Sequence, residues 1–442
     1  MSLIPEFVRR KIDHRPNLVK VVDNIGWLFI EKIARMMIGL LMVAWMARYL
    51  GPEQFGLLSF CMAFVSMFSV LSVIGLQGIV VRDLAENPVI AKETLGTTFI
   101  LQLVSGIVFY LLVIGVIVVL RPDDTLAKTI VAILGGTLIF RVSDGVKYWF
   151  ESQVQSKYPV WVESGVFVAA TSLKVCMLIG GATIVSFAWL AFAEAMIASM
   201  ALFFLYYWRV GGLGSWFAAI SRAKKLIGDC WPLAISGFAG MVYLKIDQVM
   251  IGQFLGDEQV AIYSVASRIS EVWYFIPMII VSSVFPVIIE SKKISEGAYN
   301  AKLQKLYDLM VFLSLLLVLL VVLSSDFVIG IFFGLGYIEA ADVLRVHILA
   351  APFVFLGVAS SRWILIENKA MISLRRSVSA AVINIVLNIY VIPRYGVIGA
   401  AYTTVFSHAV GGMLYDLLQK ETRSMFIMKT KAFNVFKIRS IF

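Results

Sequence analysis

Charge is scarce in this chain of 442 residues: Asp, Glu, Lys and Arg make up 15% of it, against about 25% in soluble domains. So little charge cannot clothe a water-soluble surface around a core of this length. Cysteine and histidine each occur only three times. Cys61, Cys176 and Cys230 stand alone in or beside apolar runs, and His14, His347 and His408 are far apart, so no metal-ligand or CxxC spacing exists. Neither a redox pair, a structural metal nor a disulfide framework is supported. No D-x-D triplet and no GxxxxGK[ST] loop occurs, which removes the signatures of metal-dependent glycosyl transfer and of ATP hydrolysis. The first 24 residues contain Arg9, Arg10, Lys11, Arg15 and Lys20 but no apolar stretch with a small-residue cleavage site. An N-terminus that stays in the cytoplasm is the expectation.

What the chain does have is hydrocarbon: 60% hydrophobic residues and a mean hydropathy of +0.90. A spanning helix takes about 20 apolar residues. Twelve runs meet that need, over residues 25–47, 56–80, 95–120, 127–149, 159–180, 184–208, 227–253, 259–288, 308–333, 343–366, 372–392 and 397–418. Turn chemistry separates them, as at Gly51-Pro52, Arg121-Pro122-Asp123-Asp124, Gly180-Gly181, Gly256-Asp257 and Pro393-Arg394. The short alternating strands of a barrel are absent. The sequence therefore predicts an all-α membrane protein with twelve transmembrane helices.

Lys and Arg collect in the tails and in every second loop, leaving only Arg48, Arg121, Lys128 and Arg394 for the opposite side. By the positive-inside rule both termini are cytoplasmic. The net charge of +10 then faces anionic lipid, and no nucleic acid is needed to explain it.

The segment YLGPEQFGLLSF (49–60) recurs as FLGDEQVAIYSV (254–265), identical at Leu50/Leu255, Gly51/Gly256, Glu53/Glu258, Gln54/Gln259 and Ser59/Ser264. FAEA (192–195) and FSHA (406–409) form a weaker echo. Six helices separate the two strong copies, and an even number preserves orientation, so the halves are parallel repeats. The predicted organisation is a basic N-tail (1–24), a six-helix bundle (25–208), a cytoplasmic linker (209–226), a second six-helix bundle (227–418) and a basic C-tail (419–442).

Three blocks carry a family resemblance: ARYLGPEQFG, KIDQVMIGQFLGDEQVAIYSVASRISE and NIVLNIYVIPRYGVIGAAYTT. With them the chain resembles the Wzx-type O-antigen flippases of the polysaccharide transporter group, in the superfamily of the MATE drug exporters. The resemblance implies a MATE-like fold. It also implies flipping of an undecaprenyl-pyrophosphate-linked oligosaccharide between membrane leaflets by alternating access, driven by a proton or sodium gradient and without a cofactor. By the logic of such a pathway, a polysaccharide polymerase and a chain-length regulator are further partners.

Ionisable groups in lipid cost roughly 2.5–3.5 kcal/mol each, so those within the runs should face a cavity. The candidates for cargo binding are Arg35, Arg141, Lys147, Lys174, Arg268 and Arg362; those for ion coupling or gating are Glu31, Asp144, Glu194, Asp247 and Glu271. Glu31 and Arg35 are spaced to pair, Arg141, Asp144 and Lys147 form a charged stripe at i+3 steps, and Arg268 and Glu271 repeat that spacing. Arg forks suit phosphate. The competing account is structural ion pairing between helices, or snorkelling for groups near helix ends such as Lys147, Arg345 and Arg362. Asp247 lies where the resembling family usually carries Asp. Glu194 and His408 hold equivalent places in the weaker repeat. Trp149, Trp273 and Trp363 are candidates for stacking on sugars, with an aromatic belt as the alternative. Two rival functions remain open: a multidrug exporter sharing the fold, which would favour an acidic cavity, and a membrane polysaccharide polymerase, which would need a larger outer loop.

Overall fold

The computed structural model describes the backbone of residues 16–366 and 369–434, and their side chains apart from 16–32, 286, 362, 365, 366 and 370. The helices of the N-terminal half are α1 (Pro16–Ser72), α2 (Gln77–Glu86), α3 (Ala91–Leu120), α4 (Thr125–Gly135), α5 (Thr137–Phe140), α6 (Asp144–Ser152), α7 (Lys157–Ile179) and α8 (Ile184–Arg209). Those of the C-terminal half are α9 (Ile220–Phe254), α10 (Asp257–Glu271), α11 (Phe275–Lys292), α12 (Glu296–Phe332), α13 (Ala340–His347), α14 (Ala351–Ile366), α15 (Ala370–Ala409) and α16 (Tyr415–Leu418), followed by the terminal helix α17 (Arg423–Ala432). No strand occurs among the described residues.

Among the described residues, ten stretches are long and apolar enough to cross a membrane. Two of them, Ile33–Glu86 and Met371–Leu418, run to 54 and 48 residues, about twice one crossing. Each is broken by one glycine, Gly51 in α1 (φ 74°, ψ 171°) and Gly396 in α15 (φ 63°, ψ −153°). The break converts each long run into two crossings, which gives the twelve that the apolar runs require. A positive φ with ψ near 180° is a region essentially restricted to glycine. Gly256 (φ 90°, ψ 173°) and Gly334 (φ 90°, ψ 174°) adopt it too. The recurring Leu-Gly of the sequence repeat is thus a one-residue reversal between helices, where the hydropathy limits had left a loop of several residues.

These four glycines mark one end of the molecule, called here the turn end; Arg222 and the terminal helix mark the tail end. At the turn end the halves touch through their repeated segments. A Cβ on Gly56 would lie 1.7 Å from the backbone oxygen of Asp257 and 3.2 Å from the nitrogen of Ala261. Ala261 is the repeat equivalent of Gly56, so this position meets its own counterpart, as an approximate two-fold between halves demands. Equivalent carbonyls near the ends of the first and seventh crossings are each capped from the opposite half. The Tyr337 hydroxyl donates to Ala47 at 2.7 Å, and Arg121 donates to Gly252 at 3.0 Å. Arg121 also pairs with Asp257 at 2.7 Å and covers the Phe60 ring.

At the tail end, the stretch after α8 folds back on the first half. The Phe217 backbone packs on Gly96, and Arg222 and Asp83, both largely buried, pair at 2.7 Å. Residues 220–226, read from sequence as the end of the linker, already belong to α9. The outward faces carry exposed Leu111, Val119, Leu323 and Phe327, as contact with acyl chains requires.

Candidate functional site

The N-terminal half encloses a cavity of about 320 Å³ walled by α1, α5, α6, α7 and α8. Arg35 enters it from α1, donates to Ser164 Oγ at 3.1 Å and lies 5.0 Å from the Phe167 ring centre. The charged stripe expected on the fourth crossing is real. Asp144, only 6% exposed, is held by Arg141 at 3.3 Å and by Lys147 at 2.9 Å, and Lys147 also pairs with Glu163 of α7. A 3-10 turn over Arg141–Ser143 aims Arg141 into the space, where 45% of its side chain stays accessible. Glu194 of α8 is not isolated, as the sequence suggested, but pairs with Lys174 of α7 at 3.2 Å.

A more apolar cavity of about 170 Å³ adjoins the first at Ala191. Met42, Met46 and Met62 line it together with Lys174, and Arg268 reaches into it from α10 of the other half. The i+3 spacing had suggested Glu271 as a partner of Arg268. Glu271 instead pairs with Lys245 at 2.9 Å, because α9 lies beside α10 at that level. Lys245 therefore has a structural role. Among the described residues, Arg268 makes no hydrogen bond or ion pair.

The C-terminal half holds the reverse arrangement. Asp247 is 1% exposed and faces no cation; its shell is made of neutral groups from three other crossings. Tyr263 donates to it at 2.6 Å, and Thr404 and Asn388 also donate to it. Asn384 lies one helical turn from Asn388 and accepts from it at 3.2 Å. The Asn388 Oδ1 atom is buried without a partner. His347 and His408 are both buried nearby, packed edge-on against Tyr263 and against Tyr243 and Tyr274. His408 and Glu194, equivalent in the repeat, sit in different halves with unrelated neighbours.

Glu31 and Arg362 lie outside the residues whose side chains are described. Trp149 packs between Phe150 and Tyr206, and Trp363 stands beside Lys369, so core packing and a cation contact occupy two of the three tryptophans singled out for sugars. Arg345 sits at the turn end with Asp326 and Asp342. The sequence reading missed Tyr263, Asn384, Asn388 and Thr404, although all four fall inside the blocks that carried the family resemblance. Two Asn at i, i+4 in an apolar helix were the available signal. Glu163 and Arg121 were passed over because they fall near helix ends.

Two bundles of crossings with their polar groups turned inward define a membrane transporter fold. Solved structures of that fold include the lipid II flippase MurJ in an inward closed conformation, which covers 93% of this chain and 92% of its own at 15% identity with a TM-score of 0.72. An inward-facing MATE family multidrug resistance transporter covers 91% and 96% at 14% identity, with a TM-score of 0.64. The chain belongs to the polysaccharide biosynthesis protein family, whose model matches residues 21–292. The MatE family model matches residues 232–390. Two relatives align over most of their length. A Haloferax volcanii protein named as a low-salt glycan biosynthesis flippase is 24% identical over 88% of this chain and 81% of its own. A Shigella flexneri protein named as an O-antigen transporter is 23% identical over 87% and 94%.

Proposed function

We propose that this chain flips a lipid-linked oligosaccharide, the repeat unit of a surface polysaccharide on an undecaprenyl-pyrophosphate carrier, from the cytoplasmic to the periplasmic leaflet of a bacterial inner membrane. The observation that carries the reading is Arg268, an unpaired guanidinium that crosses from one half into the cavity of the other beside Lys174. A diphosphate between them engages both halves at once, which is what an alternating-access carrier needs from its cargo. Arg35, Arg141 and Lys147 extend this positive wall toward the tail end, the cytoplasmic side in the proposed orientation, with both termini inside. Among the described residues Asp144, Glu163 and Glu194 hold Arg141, Lys147 and Lys174 in place, and Arg268 adds a further positive charge. The charge of Arg268 in that cavity disfavours a cargo of drug cations.

Asp247 is the proposed coupling group. A lone carboxylate among the oxygens of Tyr263, Asn388, Asn384 and Thr404 suits a proton or one monovalent cation, and the partnerless Asn388 oxygen is a ready ligand. A divalent ion would demand more charge: no cluster of three His, Cys, Asp or Glu exists among the described residues. Loading Asp247 neutralises it and releases its hold on Tyr263 and Thr404, which join α10 to α15.

The deciding experiment deletes the gene in its own host and measures surface polymer together with the leaflet location of the lipid-linked unit. Loss of polymer with single units on the cytoplasmic side is expected. Units on the periplasmic side would indicate a polymerase, and unchanged polymer would overturn the reading.

A further inference from the structure

The C-terminal half contains another cavity, of about 240 Å³, that shares no residue with the cargo path. It lies toward the tail end between α9, α14, α15 and the π-helical turn Val410–Leu414, and its wall includes Arg376, His408, Ser361, Ser373 and Ser377. Arg376 is 5% exposed and donates to Asp416, which is wholly buried. The second oxygen of Asp416 accepts from Lys429 of α17 at 2.8 Å, and Lys429 is 0% exposed. Its ammonium has an acceptor for each proton: Asp416, the Gly412 carbonyl at 2.6 Å and Ser360 Oγ at 2.9 Å. Burial, and after it the charge of Arg376, pull the Lys429 ammonium well below the usual lysine range.

Two buried basic side chains therefore share one buried carboxylate in a dry environment, each on its own oxygen. Arg376 Nε has no acceptor and His408 Nε2 has no partner, although both atoms are buried and both residues form the wall. Three serine hydroxyls stand around the same space. A planar guanidinium with a spare N–H, an imidazole nitrogen and the Ser377 hydroxyl are the kinds of group that bind phosphate oxygens.

We propose that this cavity is an anion site that takes a phosphate group, with Arg376 as its fork, separate from the cargo site of the N-terminal half. The group comes either from the headgroup of an anionic bilayer lipid entering at the tail end or from free phosphate or pyrophosphate. The proposal does not depend on the flippase reading, because binding is read on the purified full-length protein.

The test places that protein in nanodiscs of phosphatidylcholine alone, titrates pyrophosphate by thermal shift, and in a second arm adds phosphatidylglycerol and counts lipids retained in native mass spectrometry. Saturable pyrophosphate binding or retained phosphatidylglycerol supports the site and identifies its source. Arg376→Met should weaken that binding by about tenfold or more. Ser377→Leu, which fills the cavity but leaves Arg376, Asp416 and Lys429 unchanged, should do the same and decides the matter if Arg376→Met does not fold. Arg268→Ala, which removes the diphosphate contact proposed for the cargo path, should keep a saturable pyrophosphate site that is lost when Ser377→Leu is added. Absence of binding in both arms, or a pyrophosphate site in Arg268→Ala that Ser377→Leu leaves unaltered, overturns the proposal.

Discussion

The two halves share a fold and a turn motif, yet they treat charge in opposite ways. The N-terminal half keeps Arg35, Arg141 and Lys147 along a cavity open enough that Arg141 stays 45% accessible. The C-terminal half, apart from its buried Arg376, Asp416 and Lys429 cluster, seals one carboxylate without a cation, Asp247, at 1% exposure inside a shell of hydroxyls and amides. Duplication gave both halves the same scaffold. In the function proposed above, the cations of the N-terminal cavity serve the cargo and the sealed Asp247 serves the coupling ion, so that each half biases the same rocking motion through a different ligand.

The contact that joins the halves should be the most sensitive to change. Gly56→Val drives a side chain into the Asp257 backbone where both halves meet, and neither backbone can give way. We expect export to fall to background, with a loss of roughly 1–3 kcal/mol read as a lower Tm. Normal export would mean that the halves do not close on this axis.

Next in size is the removal of either half's ligand. Asp247→Asn should cut export more than about tenfold and abolish its response to the ion gradient, with Tm held or raised, because a lone buried charge has been removed. Arg268→Ala should lower export by about tenfold with Tm unchanged, since no partner is left stranded, and Arg268→Lys should restore part of it. A gradient response that survives in Asp247→Asn but is lost in Arg268→Ala would reverse the assignment of ligands to halves.

Smaller effects test whether the position of a charge matters more than its presence. Arg141→Ala, at a half-exposed site, should reduce export about threefold in a leaflet assay at equal protein level, and Arg141→Lys should retain part of that loss. Arg345→Ala breaks exposed ion pairs at the turn end and should change stability by no more than about 0.5 kcal/mol, with export intact.

Much of this was readable before the fold was known. The apolar runs, the repeat and the charged stripe at Arg141, Asp144 and Lys147 are periodic or local features, and the structure keeps them. Charge partners were less legible. Arg268 and Glu271 have the spacing of a pair but part company, because a neighbouring helix offers Lys245 to one and a cavity to the other. Lys174 and Glu194 read as isolated charges and turn out to be joined. Arg376 passed unnoticed as one of a basic pair beside a loop, whereas its burial with Asp416 and Lys429 depends on how α17 folds back.

By itself the sequence determined that the chain lives in a membrane, how many times it crosses, where its helices reverse and that it is built of two like halves. Hydrophobicity and backbone freedom act residue by residue, so a linear string records them. The tertiary structure alone decided which charges are neutralised, which stand free and which cavity they face. Those outcomes depend on contacts between crossings more than a hundred residues apart, as between Asp247 and Thr404 or Arg121 and Asp257, and in a low dielectric a displacement of one helical turn changes a charge from paired to exposed.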